Sequence, residues 1–110
     1  MKVEVLYFKG CPNYESAVAQ VRKAVSEEHV SAVVEEVEVR DAAMAQEISF
    51  LGSPTIRVNG LDIEEGARTA VGFGFGCRTY LAAGHRSGIP SISSIRHALA
   101  EAAGSTGEQV

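Results

Sequence analysis

Cys11 is the first residue whose type and place point to chemistry. It stands in Gly10-Cys11-Pro12-Asn13-Tyr14, directly after an apolar run and directly before proline, a favoured residue at a helix's first position. That placement sets the sulfur at a helix N-terminus, where unpaired N–H groups and the positive end of the dipole favour thiolate over thiol. Thiolate is the form that attacks disulfides and binds soft metals. The plain alternative is a small apolar side chain at a strand end, since free cysteine is often buried. Tyr14 follows one helical turn later. Either its hydroxyl reaches the sulfur or its ring only packs over the helix start. Cys77, the second of two cysteines, closes the run Gly72-Phe73-Gly74-Phe75-Gly76 and precedes Arg78. The Arg78 cation suits a thiolate or an anionic ligand. Cys77 either meets Cys11, as a resolving thiol or a second soft ligand, or stands without a partner. A disulfide needs Cα atoms within about 7 Å, which spacing alone does not decide.

The elements that must position these residues follow from pattern. Residues 3–8, β-branched and aromatic, predict a strand buried mostly on both faces. A helix is expected to start at Pro12, with Ala17, Val18, Val21, Ala24 and Val25 on one face and Glu15 in its first turn, and to end at His29. Residues 33–40 alternate Val37 and Val39 with charges, a second strand. Asp41 caps a short helix through Met44, Ile48 and Phe50, broken by Gly52-Ser53-Pro54. Residues 55–58 and 61–63 form a hairpin around Asn59-Gly60, a turn needing positive φ at both positions. Residues 64–90 read as a glycine-rich insertion in which 80–83 add one helical turn. Ser91 or Ser93 caps a last helix carrying Ile92, Ile95, Leu99 and Ala102, which Gly104 ends, leaving 105–110 as a frayed tail. A helix joins the first two strands, which makes them parallel. The result is one α/β domain over 1–104, with helices on both faces of a mixed four-stranded sheet.

The order strand, Gly-Cys-Pro-Asn-Tyr, helix, strand, helix, Ser53-Pro54-Thr55, hairpin, helix resembles the thioredoxin-like family, a three-layer α/β/α sandwich. The likeness spans roughly residues 2–63 and the last helix. Residue type alone predicts a trans bond at Pro54. The resemblance implies a cis bond there, with the proline packed beside the attacking cysteine, which Cys11 matches. Pro12, Ser53, Pro54, Thr55 and Arg78 are then the expected substrate-binding residues, and Cys11, Cys77 and Tyr14 the catalytic ones. The sequence departs from the family's Cys-x-x-Cys at Tyr14, so no dithiol closes within the motif. More narrowly, Gly10-Cys11-Pro12-Asn13, residues 50–55 and Cys77-Arg78 with Tyr80 are similar to small bacterial thioredoxin-like proteins, some labelled alkylmercury lyase. Two functions follow as expectations. One is monothiol redox chemistry on a thiol or disulfide substrate, with Cys77 or an external thiol resolving the mixed disulfide. The other is binding or lysis of an organomercurial by Cys11 and Cys77, since mercury prefers soft thiolates. A third reading is a non-enzymatic interaction module, because a fold alone assigns no chemistry.

Composition bounds the rest. The 110 residues carry 10 Lys and Arg against 14 Asp and Glu, a net charge of −4, with 45% apolar and 22% charged residues. That suits one soluble domain and gives no basic footprint for nucleic acid. No long apolar run predicts a membrane span, and the start has no signal-peptide pattern, so a cytoplasmic location is expected. Gly72, Gly74 and Gly76 lack dinucleotide-motif spacing, and His29, His85 and His97 lack metal-ligand spacing. No cofactor or resident metal is expected. Glu35, Glu36, Glu38, Glu64 and Glu65 read as solvated edge and loop charges. Oligomeric state stays open.

Overall fold

The computed structural model describes residues 1–69, 76, 78–82 and 85–107. In chain order the elements are β1 (Lys2–Tyr7), α1 (Tyr14–Glu28), β2 (Val33–Glu38), α2 (Ala42–Glu47), β3 (Thr55–Val58) and β4 (Leu61–Asp62). A 3₁₀ turn (Glu65–Thr69), β5 (Tyr80–Ala82), β6 (His85–Ser87) and α3 (Ile92–Gly107) follow. The main sheet has the order β2-β1-β3-β4, and β5 and β6 form a separate two-stranded sheet. β1 and β2 are parallel, Leu6 opposite Val37, because α1 carries the chain back across the sheet. β3 is antiparallel to β1 and to β4. Among the described residues the fold is thus mixed α/β with a four-stranded mixed sheet and three helices.

Strand alternation sorts the core onto two faces. Val3 and Val5 of β1, with Ile56 and Val58 of β3, pack under Ala17, Val21 and Ala24 of α1 and Ile95, Ala98 and Leu99 of α3. Leu6 projects into a second cluster with Val39, Ala45 of α2 and Phe50. Period-two alternation on β1 therefore supplies both layers. Among the described residues no helix is long and apolar enough to cross a membrane.

Local chemistry explains the boundaries. Asp41 caps α2, its carboxylate accepting from the Met44 N–H at 2.8 Å. His29 takes the left-handed conformation that ends α1. Asn59 and Gly60 turn the β3–β4 hairpin at φ +50° and +84°. Ser91 caps α3, its hydroxyl accepting from the Ser94 N–H at 3.1 Å.

Four expectations need correction. α1 begins at Tyr14, not Pro12: Cys11 to Tyr14 form a turn closed by the Tyr14 N–H on the Cys11 carbonyl, and Asn13 is the N-cap. Residues 80–82 are a strand rather than a helical turn, paired antiparallel with β6, so the insertion carries structure of its own. α3 runs past Gly104 to Gly107, because a glycine costs a helix only about 1 kcal/mol. The expected strand over 33–40 stops at Glu38, and Val39 turns its side chain into the second core cluster.

Candidate functional site

Cys11 is partly exposed and carries no disulfide. Its N–H donates to the Phe8 carbonyl at 3.2 Å, which folds the chain back at the end of β1 and just before α1. The Phe8 N–H in turn approaches the Ser53 hydroxyl at 3.4 Å. Phe8 thus ties the Cys11 turn to the loop that precedes β3. In that loop the Ser53–Pro54 peptide bond is cis.

The loop itself is bonded to Gly76, Arg78 and Tyr80. The Ser53 N–H donates to the Gly76 carbonyl at 2.8 Å, and the Ser53 carbonyl accepts from the Arg78 N–H at 2.9 Å. The Thr55 hydroxyl donates to the Gly52 carbonyl at 2.5 Å. The Tyr80 hydroxyl donates to the Pro54 carbonyl at 2.6 Å. Ser53 and Thr55 are wholly buried, and the Pro54 side chain is among the most buried in the molecule. Burial raises the Tyr80 hydroxyl well above the usual phenol range, so it stays protonated and donates.

Arg78 fastens this arrangement. Its Nη1 lies 2.6 Å from Asp62 Oδ2 and its Nη2 2.8 Å from Asp62 Oδ1, a two-pronged pair with both side chains 6% exposed. Nη2 also reaches Glu64 at 3.3 Å, and Nη1 reaches the Thr55 hydroxyl at 3.3 Å. The guanidinium sits 4.4 Å from the centre of the Tyr80 ring, a cation–π contact. Burial works against the charge, but the Asp62 hydrogen bonds and the neighbouring negative groups hold Arg78 above its ordinary value. It is permanently charged. Among the described residues, every buried side-chain nitrogen and oxygen finds a partner.

The expected site residues therefore divide. Cys11 and Pro12 lie in the turn before α1, the cysteine partly exposed and the proline exposed. Ser53, Pro54 and Thr55 are brought beside that turn through Phe8, but their polar groups serve internal bonds and their side chains are buried, so they support the turn rather than line an open cleft. Arg78 does not wait for an anion: both of its terminal nitrogens are committed to Asp62, Glu64 and Thr55. The Tyr14 hydroxyl is bonded to the Glu36 carboxylate on β2, and its ring stacks on Tyr7 with centroids 3.8 Å apart and planes 13° apart. Tyr14 thereby pins the first turn of α1 to β1 and β2. Cys77, and with it the question of its meeting Cys11, lies outside the described residues.

Sequence reasoning missed Asp62, gave Tyr80 no role of its own and misjudged Glu64. The available signal was an aspartate between Leu61 and Ile63 at the end of the hairpin; alternation turns Leu61 outward and Asp62 inward, where a charge needs a buried partner. Glu36, read as a solvated charge, is exposed yet bonded to Tyr14 and 3.7 Å from Arg22. Among the described residues no group of three or more His, Cys, Asp or Glu side chains could hold a metal ion. In comparisons with known proteins, no family model matches the chain, and no curated protein and no solved structure matches it.

Proposed function

We propose that this chain is a thiol-based redox protein with a thioredoxin-like arrangement, in which Cys11 acts as a single attacking thiol. The observation that supports this most is local: a partly exposed cysteine in the turn entering α1, tied through Phe8 to the cis Ser53–Pro54 loop. The element order from β1 to β4, closed by α3, agrees with that reading. Cys11 stands in the turn that leads directly into α1.

The reaction is an exchange without net oxidation. The Cys11 thiolate attacks one sulfur of a disulfide; a new S–S bond forms to Cys11, the old S–S bond breaks, and the departing sulfur leaves as thiolate. Either an external thiolate then attacks the substrate sulfur of the mixed disulfide, forming a new disulfide with it and releasing Cys11 as thiolate, or Cys77 attacks the Cys11 sulfur, forming a Cys11–Cys77 disulfide and releasing the substrate thiolate. Such a cycle suits a compartment where thiols stay reduced, the cytosol above all.

The test is adduct formation with glutathione disulfide, followed by intact mass. The Cys77→Ser chain should take one glutathione, on Cys11. The Cys11→Ser chain, which keeps Cys77, should react about tenfold or more slowly, as expected when thiolate character sets the rate. Faster reaction of the Cys11→Ser chain would reject Cys11 as the attacking thiol.

A further inference from the structure

We infer that the cavity between the loop after α2, the β3–β4 hairpin and the 3₁₀ turn binds a small organic anion, its charged head on Arg57 and its apolar body against Leu51 and Leu61. None of the residues lining this cavity belongs to the Cys11 turn, so the inference stands apart from the thiol reading.

Alternation along β3 places Arg57. Its neighbours Ile56 and Val58 pack into the core under α1 and α3, so Arg57 projects from the opposite face, towards α2. Its Nη2 donates to the Ile48 carbonyl at 2.8 Å and to the Ser49 carbonyl at 2.9 Å, satisfying the chain end of α2. Those bonds use both hydrogens of Nη2 and leave the N–H groups of Nε and Nη1 unspent among the described residues. The neighbouring arginines are balanced, Arg68 by Glu101 at 3.2 Å and Arg78 by Asp62 at 2.6 Å. Arg57 is half-buried yet forms no ion pair among the described residues. Its cross-strand partner on β4 is Asp62, but that carboxylate is already taken. Arg78 bonds both of its oxygens, and the Glu64 N–H donates to Oδ1 at 2.9 Å. A cation partly withdrawn from water without a counter-charge carries a desolvation cost that a bound anion offsets.

The space beside Arg57 measures about 270 Å³. That is just under the usual span of small-molecule clefts, about 300–1,000 Å³, so it suits a small ligand. Arg68 also lines it, fixed by its Nε on the Asp62 carbonyl at 2.9 Å. Asp62 is the only acidic residue among the described residues lining it, and its charge is spent on Arg78, so no free carboxylate there repels an anion. Unspent guanidinium N–H groups suit a carboxylate or a phosphate. The rest of the wall is apolar: Leu51 lines the cavity, and Leu61 is 53% exposed beside it. An inorganic ion would leave those leucines in water, whereas a short hydrocarbon body covers them.

The experiment titrates the isotope-labelled full chain with phenyl phosphate, benzoate and inorganic phosphate, against sodium chloride of matched ionic strength, and follows the amide NMR signals. Phenyl phosphate or benzoate should shift the amides of Ser49, Leu51, Leu61 and Arg68 saturably, and the tighter of the two identifies the head group. Inorganic phosphate should bind several-fold more weakly than phenyl phosphate, and chloride should leave these signals in place. Arg57→Gln keeps an amide donor for the α2 carbonyls but removes the charge. It should weaken the organic anion about tenfold or more, the loss expected for a hydrogen bond to a charged group. Ala67→Leu fills the cavity from the 3₁₀ turn while leaving the Arg57 bonds in place, and should weaken binding as well. No saturable shift at these amides would overturn the site. Inorganic phosphate binding as tightly as phenyl phosphate would overturn the organic body, and undiminished binding in either folded variant would overturn the placement.

Discussion

Asp62→Leu should destabilise the fold by about 3–5 kcal/mol, the cost of breaking a buried ion pair and leaving one charge behind. The lower end is expected here, because Arg78 would keep Glu64 at 3.3 Å, the Thr55 hydroxyl and the Tyr80 ring. The physical point is asymmetry. Forming the pair gains little net stability after desolvation, whereas orphaning Arg78 exposes the whole desolvation cost. The double variant Asp62→Leu with Arg78→Met removes both charges and should recover a large part of the loss. Urea unfolding of the three proteins checks this. A double variant as unstable as Asp62→Leu alone would show that lost packing, rather than the stranded charge, sets the cost.

Gly52→Ala should cost about 3 kcal/mol, from two sources. Gly52 has φ +117°, a backbone conformation that costs an alanine about 1–3 kcal/mol. Its added Cβ would also press on the Arg78 Cβ and the Gly76 carbonyl, each 3.0 Å away, where Gly76 and Arg78 are hydrogen-bonded to Ser53 and have little room to retreat. Gly60→Ala is the control. Gly60 has φ +84° but nothing within 4 Å of its added Cβ, so only the backbone cost of about 1–2 kcal/mol applies. The difference between the two urea midpoints isolates the close approach of Gly76 and Arg78. Equal losses would mean that these two residues yield freely, which their bonding to Ser53 does not allow.

Periodicity revealed the elements that build the sheet. A β-branched and aromatic run gave β1, alternation gave β2, the 3.6-residue stripe from Ala17 to Val25 gave α1, and Asn59-Gly60 gave the β3–β4 hairpin. Asp41 was legible as a cap because its carboxylate bonds only three residues ahead. What escaped was non-local. Arg78 and Asp62 are 16 residues apart and meet only through the tertiary fold, so neither residue type nor spacing announces the pair. Tyr14 was read against its neighbour Cys11, but β2 runs beside β1 and presents Glu36, which takes the hydroxyl instead. The glycine-rich stretch offered no period at all, so the hairpin of β5 and β6 was invisible there. The start of α1 moved by two residues because Pro12 and Asn13 close a turn first. The cysteine's place at the strand–helix junction was legible; the closing of the loop beside it was not.

The account turns on the fold making Cys11 more reactive than an ordinary cysteine. The most direct measurement is alkylation of the Cys77→Ser chain by iodoacetamide at neutral pH, native and in urea, with the modified residue located by peptide mass. Native Cys11 is predicted to react several-fold faster than the same cysteine in the unfolded chain, as the attacking-thiol reading requires. Native labelling equal to or slower than unfolded labelling would contradict the account, since it would show a thiol that the fold merely shelters.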